Sequence, residues 1–151
     1  MNDAIRGVES IIGYTFTNPP LLWEALQAPG SNVYRIGGRQ ISNQGHKRIA
    51  LLGDKWLDLI IFMDWFVENV STGQGDRRRA LTTSNANLAR VCDRLGLHQF
   101  MNKNRSQGGE VSEVTKATLI EAIIGAVAQD GGLESVRAVM QALGLLTQSL
   151  E

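Results

Sequence analysis

The chain has 151 residues, 43% of them hydrophobic, and its 15 basic and 15 acidic side chains give a net charge of zero. This length and composition predict one compact domain over residues 1–151, and the zero net charge excludes a strong overall attraction to nucleic acid, which local basic patches would have to supply. The N-terminus has no signal-peptide pattern, so we expect a soluble intracellular protein whose compartment (cytoplasmic, nuclear or mitochondrial) stays open.

Two short helices are predicted before the middle of the chain. Apolar residues at helical spacing run from Asp3 to Ile12, and Gly13 closes this helix. Asn18 followed by Pro19 is a start signal for the second helix. Residues Ala28 to Gly45 hold four glycines and predict a long loop, of a kind that is often functional.

A central helix is predicted from His46 to Asn69, with apolar residues around most of its circumference. Such a helix is buried nearly all round, either in a core or at a subunit interface. The acidic residues Asp54, Asp58 and Asp64 interrupt the apolar run and argue against a membrane span.

Polar segments separate the helices predicted for the second half. Ser71 to Gly75 is predicted to be a polar linker before a helical segment that starts at Asp76, and Asn102 to Gly109 a polar loop. Thr83 or Ser84 is expected to cap a helix running to Leu95. Cys92 in this helix is expected to be a buried residue that fills space in the core.

Two further helices complete the prediction. Ser112 caps a helix that ends at Asp130, Gly131 and Gly132, and a last amphipathic helix ends at Gly144. We find no convincing strand pattern, so the predicted fold class is all-α.

Two stretches of this sequence resemble the signature helices of the ribonuclease III domain family, helical endonucleases that cleave double-stranded RNA. The family's N-E-R-L-E-F-L-G-D appears as residues 46–54, HKRIALLGD. Its A-D-x-x-E-A-x-x-G-A with a following D-G-G appears as residues 117–126, ATLIEAIIGA, with DGG at 130–132. Weaker matches at 13–26 and 83–97 lie in the expected order, so the resemblance covers about residues 9 to 144 and implies a ribonuclease III-like fold.

The resemblance implies a metal site built from four carboxylates, two on each signature helix. Only Asp54 and Glu121 match that set, whereas Ala50 and Thr118 stand where the family has acids and Lys47 replaces another acid. Fewer carboxylates and a nearby ammonium weaken divalent binding. Asp54 and Glu121 are therefore the expected catalytic and metal residues, holding one weak Mg²⁺ or Mn²⁺; alternatively, Lys47 pairs with the leftover carboxylates in a salt bridge.

Asp58 lies one helical turn from Asp54. It could replace a missing metal ligand, or it could be an acid that meets solvent or a basic neighbour. We favour the second reading for Asp58. For Glu121 we favour a role in the site, because a carboxylate among apolar residues needs a partner.

The resemblance also implies a two-fold homodimer that binds an RNA duplex, and the apolar residues from Leu59 to Val67 suit its interface. The family's His in its A-L-x-H-x-S segment is lost here. The chain stops soon after the last helix, so we expect no separate double-stranded RNA-binding domain. Basic side chains are the candidate phosphate contacts, and the alternative for each is a side chain that only meets solvent. These candidates are Lys47, Arg48, Lys55, Arg77, Arg78, Arg79, Lys103 and Arg105.

Two functions follow from these observations. The first is a minimal, metal-dependent endoribonuclease of RNA processing that acts on double-stranded RNA with a reduced carboxylate set. The second is a catalytically inactive relative that serves as an RNA-binding or ribonucleoprotein structural protein, as in mitochondrial ribosomes. Asp54 and Glu121 favour the first, and Lys47, Ala50 and Thr118 favour the second.

Overall fold

The computed structural model describes residues 1–41, 43–103 and 109–146, and this part of the chain is almost entirely helical. The elements in chain order are α1 (Asn2–Ile12), α2 (Pro19–Ala25), β1 (Arg35–Ile36), β2 (Arg39–Gln40), α3 (Lys47–Glu68), α4 (Thr72–Thr83), α5 (Asn85–Leu95), a 3-10 helix (Leu97–Phe100) and α6 (Glu113–Ala142). The predicted all-α class is confirmed.

Local capping explains most of these helix boundaries. Gly13, Asn69 and Gly96 adopt left-handed backbone conformations that end α1, α3 and α5. The Ser84 and Ser112 side chains accept hydrogen bonds from backbone N–H groups in the first turns of α5 and α6. The predicted ends of the central helix are therefore confirmed to within one residue.

Helix α6 bends at Gly132, whose φ of 78° lies outside the helical region. The bend separates the two helices that the DGG sequence predicts. Asp130, just before it, accepts hydrogen bonds from the Tyr14 hydroxyl at 2.6 Å and from the backbone N–H groups of Thr17 and Asn18 at 2.9 and 2.7 Å. This carboxylate therefore fixes the α1–α2 connection to the bend.

The core lies where α3 and α5 pack against the first half of α6. Leu57, Ile60 and Ile61 of α3 are buried there, together with Leu88 and Cys92 of α5. The α6 residues between Leu119 and Val127 are buried on all sides except at Glu121. Burial raises the pKa of the Cys92 thiol to about 11, in agreement with its predicted role as filler.

Two predictions about local structure are wrong. Ser71 to Gly75 is not a linker, because Ser71 and Gln74 form a capping box that starts α4 at Thr72. The loop before α3 contains a short β-hairpin, β1 paired with β2, since Gly37 and Gly38 form its turn with positive φ angles.

Helix α3 is buried on one face only in a single copy of the chain, so the core accounts for part of the predicted burial and the predicted subunit interface remains the alternative for the rest. One face packs on α6, and the opposite face is exposed among the residues that the structure describes. Its exposed apolar residues are Leu51, Leu59, Met63, Phe66 and Val67.

No helix in residues 1–41, 43–103 and 109–146 is both long enough and apolar enough to cross a membrane. The arguments against a span within α3 agree with this finding.

Candidate active site

The candidate site is built where α3 and α6 cross with almost no space between their backbones. A Cβ atom at Gly53 would overlap the backbone oxygen of Glu121, and one at Gly125 would overlap the backbone oxygen of Ile49. Glycine at both positions therefore allows the two helices to touch. The crossing places Asp54, which follows Gly53, beside Glu121.

Asp54 and Glu121 form a pair of neighbouring carboxyl groups at this crossing. Burial raises the pKa of Glu121 to about 7, assisted by the charge of Asp54, a hydrogen bond between the two side chains and the charge of Asp58. The cationic neighbour of the pair is Lys55, whose Nζ lies 3.5 Å from Asp54 Oδ2. The pair is therefore rich in negative charge and only partly neutralised.

Asp58 lies one turn along α3 on the same flank. Its Oδ1 atom is buried and accepts no hydrogen bond from any residue that the structure describes. Burial and the charge of Asp54 raise the pKa of Asp58, although Arg79 and Lys55 oppose this change. The carboxylate therefore adds to the negative charge of the site, and it has Arg79 and Lys55 as basic neighbours.

The degenerate positions contribute no carboxylate to the site. Ala50 is buried, with 5% of its surface exposed, and offers only a methyl group. The Thr118 hydroxyl donates a hydrogen bond to the backbone oxygen of Val114 on its own helix at 2.7 Å. Lys47 is exposed and forms no salt bridge within the described part of the chain, so Lys55 takes the place expected for Lys47 beside Asp54.

The donor chemistry of this site suits one hard divalent cation better than two. No group of three or more His, Cys, Asp or Glu side chains in the described ranges is arranged as a metal-binding group. However, Asp54 and Glu121 are adjacent carboxylates, and the buried Asp58 Oδ1 lacks a donor. Oxygen-preferring ions such as Mg²⁺ keep several water ligands and need only one or two protein carboxylates.

Several of the expected phosphate contacts are already engaged. Arg78 pairs with Glu68 at 2.5 Å, Lys55 pairs with Asp54, and Arg79 is half-buried near Asp58. Arg77 and Lys103 are exposed, and Arg105 lies outside the described residues.

A basic feature that the sequence reasoning missed lies in the hairpin. Arg39 of β2 pairs at 2.7 Å with Glu24 of α2, which is 7% exposed, and Arg35 of β1 lies on the other face. A signal was present in the sequence, because no acid occurs between Glu24 and Asp54.

Comparison with known proteins identifies relatives over most of the chain. A sequence model described as the ribonuclease III domain matches residues 47–132. Ribonuclease 3 of Wolbachia pipientis wMel is 32% identical over 142 residues, which cover 90% of this chain and 58% of that protein. Ribonuclease 3 of Caenorhabditis briggsae is 31% identical over 137 residues, or 89% of this chain and 12% of that protein. The chain thus spans about three-fifths of the length of its bacterial relatives.

A solved structure supports the fold independently. The nuclease domain of ribonuclease III from Campylobacter jejuni superposes with a TM-score of 0.77 and 24% sequence identity, covering 92% of this chain and 94% of that domain. That domain has a structurally flexible region involved in dimer formation. The superposed part, 92% of this chain, is longer than the segment matched by the family model, residues 47–132.

Proposed function

The chain belongs to the ribonuclease III domain family, and from this premise we propose that it cleaves double-stranded RNA as a divalent-metal-dependent endoribonuclease of RNA processing. One domain over residues 1–151 would carry the activity. The carboxylate set is reduced to Asp54 and Glu121, with Asp58 close by. The observation that carries the proposal is the contact between Asp54 and Glu121 at the glycine crossing.

The side chains at the crossing have separable roles in this proposal. Asp54 and Glu121 would hold a Mg²⁺ or Mn²⁺ ion, and such an ion supplies an activated water and neutralises the leaving oxygen during phosphodiester hydrolysis. Lys55 orients Asp54 through its 3.5 Å ion pair. The backbone contact at Gly53 and Gly125 keeps the two acids at a fixed separation.

The proposal includes a two-fold homodimer formed through α3. Leu59, Met63 and Phe66 follow one another at spacings of four and three residues, so they share a helix face, and they are 46%, 37% and 76% exposed. Such a run of large apolar side chains on one copy favours burial against a second copy.

Cleavage of a long, end-labelled RNA duplex by the purified protein tests this function. We expect cutting with Mg²⁺ or Mn²⁺, none with EDTA, and a loss of at least about 100-fold in Asp54→Asn and Glu121→Gln, because each variant removes one of two charged ligands. Glu134→Gln, an exposed acid in the second half of α6, is the matched control and should cut normally.

Failure of the wild-type protein to cut the duplex at any metal concentration would refute the endonuclease proposal. If the same samples still bind the duplex, the chain is the inactive RNA-binding relative expected as the alternative. Loss of both cutting and binding would leave a structural role.

A further inference from the structure

A basic region interrupts the otherwise balanced charge of this chain. The 29 residues from Ala25 to Gly53 contain Arg35, Arg39, Lys47 and Arg48 and no Asp or Glu. Because the whole chain is neutral, this segment must be balanced by an acidic excess elsewhere. The segment comprises the hairpin and the start of α3, and the hairpin lies outside the matched family segment, residues 47–132.

The hairpin is held firmly against the helical core. Ile36 is buried, and Gly37 approaches Pro20 so closely that a Cβ atom would lie 3.3 Å from the proline ring's Cβ. The Arg39–Glu24 ion pair, at 2.7 Å, joins the hairpin to α2. The hairpin therefore presents a fixed surface.

The outward face of this hairpin is polar and carries an arginine. Arg35 and Gln40 are cross-strand partners, both exposed, and Arg35 forms no salt bridge to any residue that the structure describes. Tyr34, next to Arg35, is 56% exposed. These side chains offer a charge, an amide and an aromatic hydroxyl group to a partner.

The start of α3 adds to the positive potential beside the hairpin. Lys47 and Arg48 occupy its first turn, and this turn contains no acid. A helix N-terminus carries partial positive charge, so these two side chains add to it. Arg48 and Arg39 line one open groove of about 460 Å³ together with Glu24 and Gln129. The hairpin and the start of α3 therefore meet at this groove, which Arg39 and Arg48 line, while Arg35 and Gln40 lie on the outward face of the hairpin. We call the exposed basic and polar side chains of these two neighbouring elements the hairpin patch: Tyr34, Arg35, Arg39, Gln40, Lys47 and Arg48.

We propose that the hairpin patch is a docking surface for the backbone of double-stranded RNA. This inference rests on the proposed function, and it moves the main phosphate contacts away from Arg78, which pairs with Glu68, and from Arg79, which is half-buried near Asp58. Arg35, Lys47 and Arg48 have no salt bridges within the described part of the chain, so they are available for phosphates. Duplex RNA is recognised mostly through phosphates and 2′-hydroxyls, which suit this arginine, amide and tyrosine set.

Fluorescence anisotropy of a labelled blunt RNA duplex, measured in EDTA over a range of salt concentrations, tests the proposal. The variant is Arg35→Gln with Arg48→Gln, and the matched control is Arg6→Gln, an exposed arginine of α1 outside the patch. Each lost phosphate contact lowers the slope of log affinity against log salt by about 0.9. For the double variant, the magnitude of this slope should therefore fall by about 2, and binding at 0.1 M salt should be at least about 10-fold weaker. The control should bind normally.

Each other result of this experiment is decisive. Equal affinities and slopes for the wild type and double variant would overturn the hairpin patch as an RNA surface, although cleavage could continue, and an acidic protein partner would then be indicated. No duplex binding by the wild type would refute the proposed function and this inference together. An equal loss in Arg6→Gln would also contradict the proposal, because the effect would then follow overall charge.

Discussion

The carboxyl groups of Asp54 and Glu121 lie in contact although both carry negative charge when ionised. A group whose folded pKa is raised favours the folded state only while it is protonated. For Glu121 the folded pKa is about 7 and the ordinary value is 4.5. In the metal-free protein, the stability contribution present below about pH 4.5 is therefore lost as the pH rises through 7.

At the residue scale, we predict that Glu121→Gln stabilises the metal-free protein above pH 7. The substitution removes the cost of burying a charged carboxylate and also the repulsion from Asp54 and Asp58. Because solvent partly screens these effects, we expect the free energy of unfolding to rise by about 1 kcal/mol and Tm by about 2–4 °C at pH 8. Thermal unfolding in EDTA from pH 5 to 8 measures this. A variant that is less stable than the wild type at pH 8 would contradict the described charge balance.

The site was only partly predictable at this scale. The signature motifs identified Asp54 and Glu121, because side-chain identity and spacing are written in the sequence. The orphaned Oδ1 of Asp58 depends on the packing of α3, and the pairing of Asp54 with Lys55 instead of Lys47 depends on rotamers. Neither of these features can be read from helical periodicity.

At the element scale, the contact between α3 and α6 determines the separation of the two acids. Gly53 and Gly125 meet backbone atoms of the opposite helix, which cannot move aside as a flexible side chain would. A methyl group at either position therefore has to push the helices apart.

We predict that Gly53→Ala destabilises the protein by about 3 kcal/mol and weakens cleavage by widening the site. The control is Gly73→Ala in α4, where the nearest atom to an added Cβ is Ser71 Oγ at 3.9 Å. Gly73→Ala should leave activity unchanged. It should raise the free energy of unfolding by up to about 1 kcal/mol, because alanine has a higher helix propensity than glycine. Urea unfolding measures both variants, and a Gly53→Ala protein as stable as the wild type would disprove the close crossing.

Most elements were predictable because their boundaries are marked by local chemistry. The serine caps, the left-handed glycines and the Gly132 bend each correspond to a residue type. The hairpin was missed because two-residue strands give no alternating pattern, and its stability comes from Ile36 packing and the Arg39–Glu24 pair. The capping box at Ser71 was missed because a polar, glycine-containing stretch also suits a linker.

At the scale of the whole molecule, the exposed apolar face of α3 is the observation that favours the proposed homodimer. Phe66 and Val67 are 76% and 82% exposed, although they lie on a helix whose other face forms the core. The sequence predicted an apolar excess in α3 but not which side chains the core would leave uncovered. That division depends on how the other helices pack.

We predict that Phe66→Glu with Met63→Glu converts the homodimer to a monomer, because a buried unpaired charge opposes association. Size-exclusion chromatography with light scattering measures the mass. Leu81→Glu on α4, where the leucine is 67% exposed, is the control and should remain dimeric. A wild-type protein that is monomeric at all concentrations would contradict the proposed interface.

The most direct test of the account is the single-turnover rate of duplex RNA cleavage as a function of Mn²⁺ concentration, compared between wild type and Asp54→Asn. Two adjacent carboxylates predict a rate that saturates at a high Mn²⁺ concentration in the wild type. Asp54→Asn should reduce the maximal rate by at least about 100-fold, with duplex binding unchanged. Equal rates in the two proteins, or no Mn²⁺-dependent cutting by the wild type, would show that Asp54 and Glu121 do not form a catalytic site.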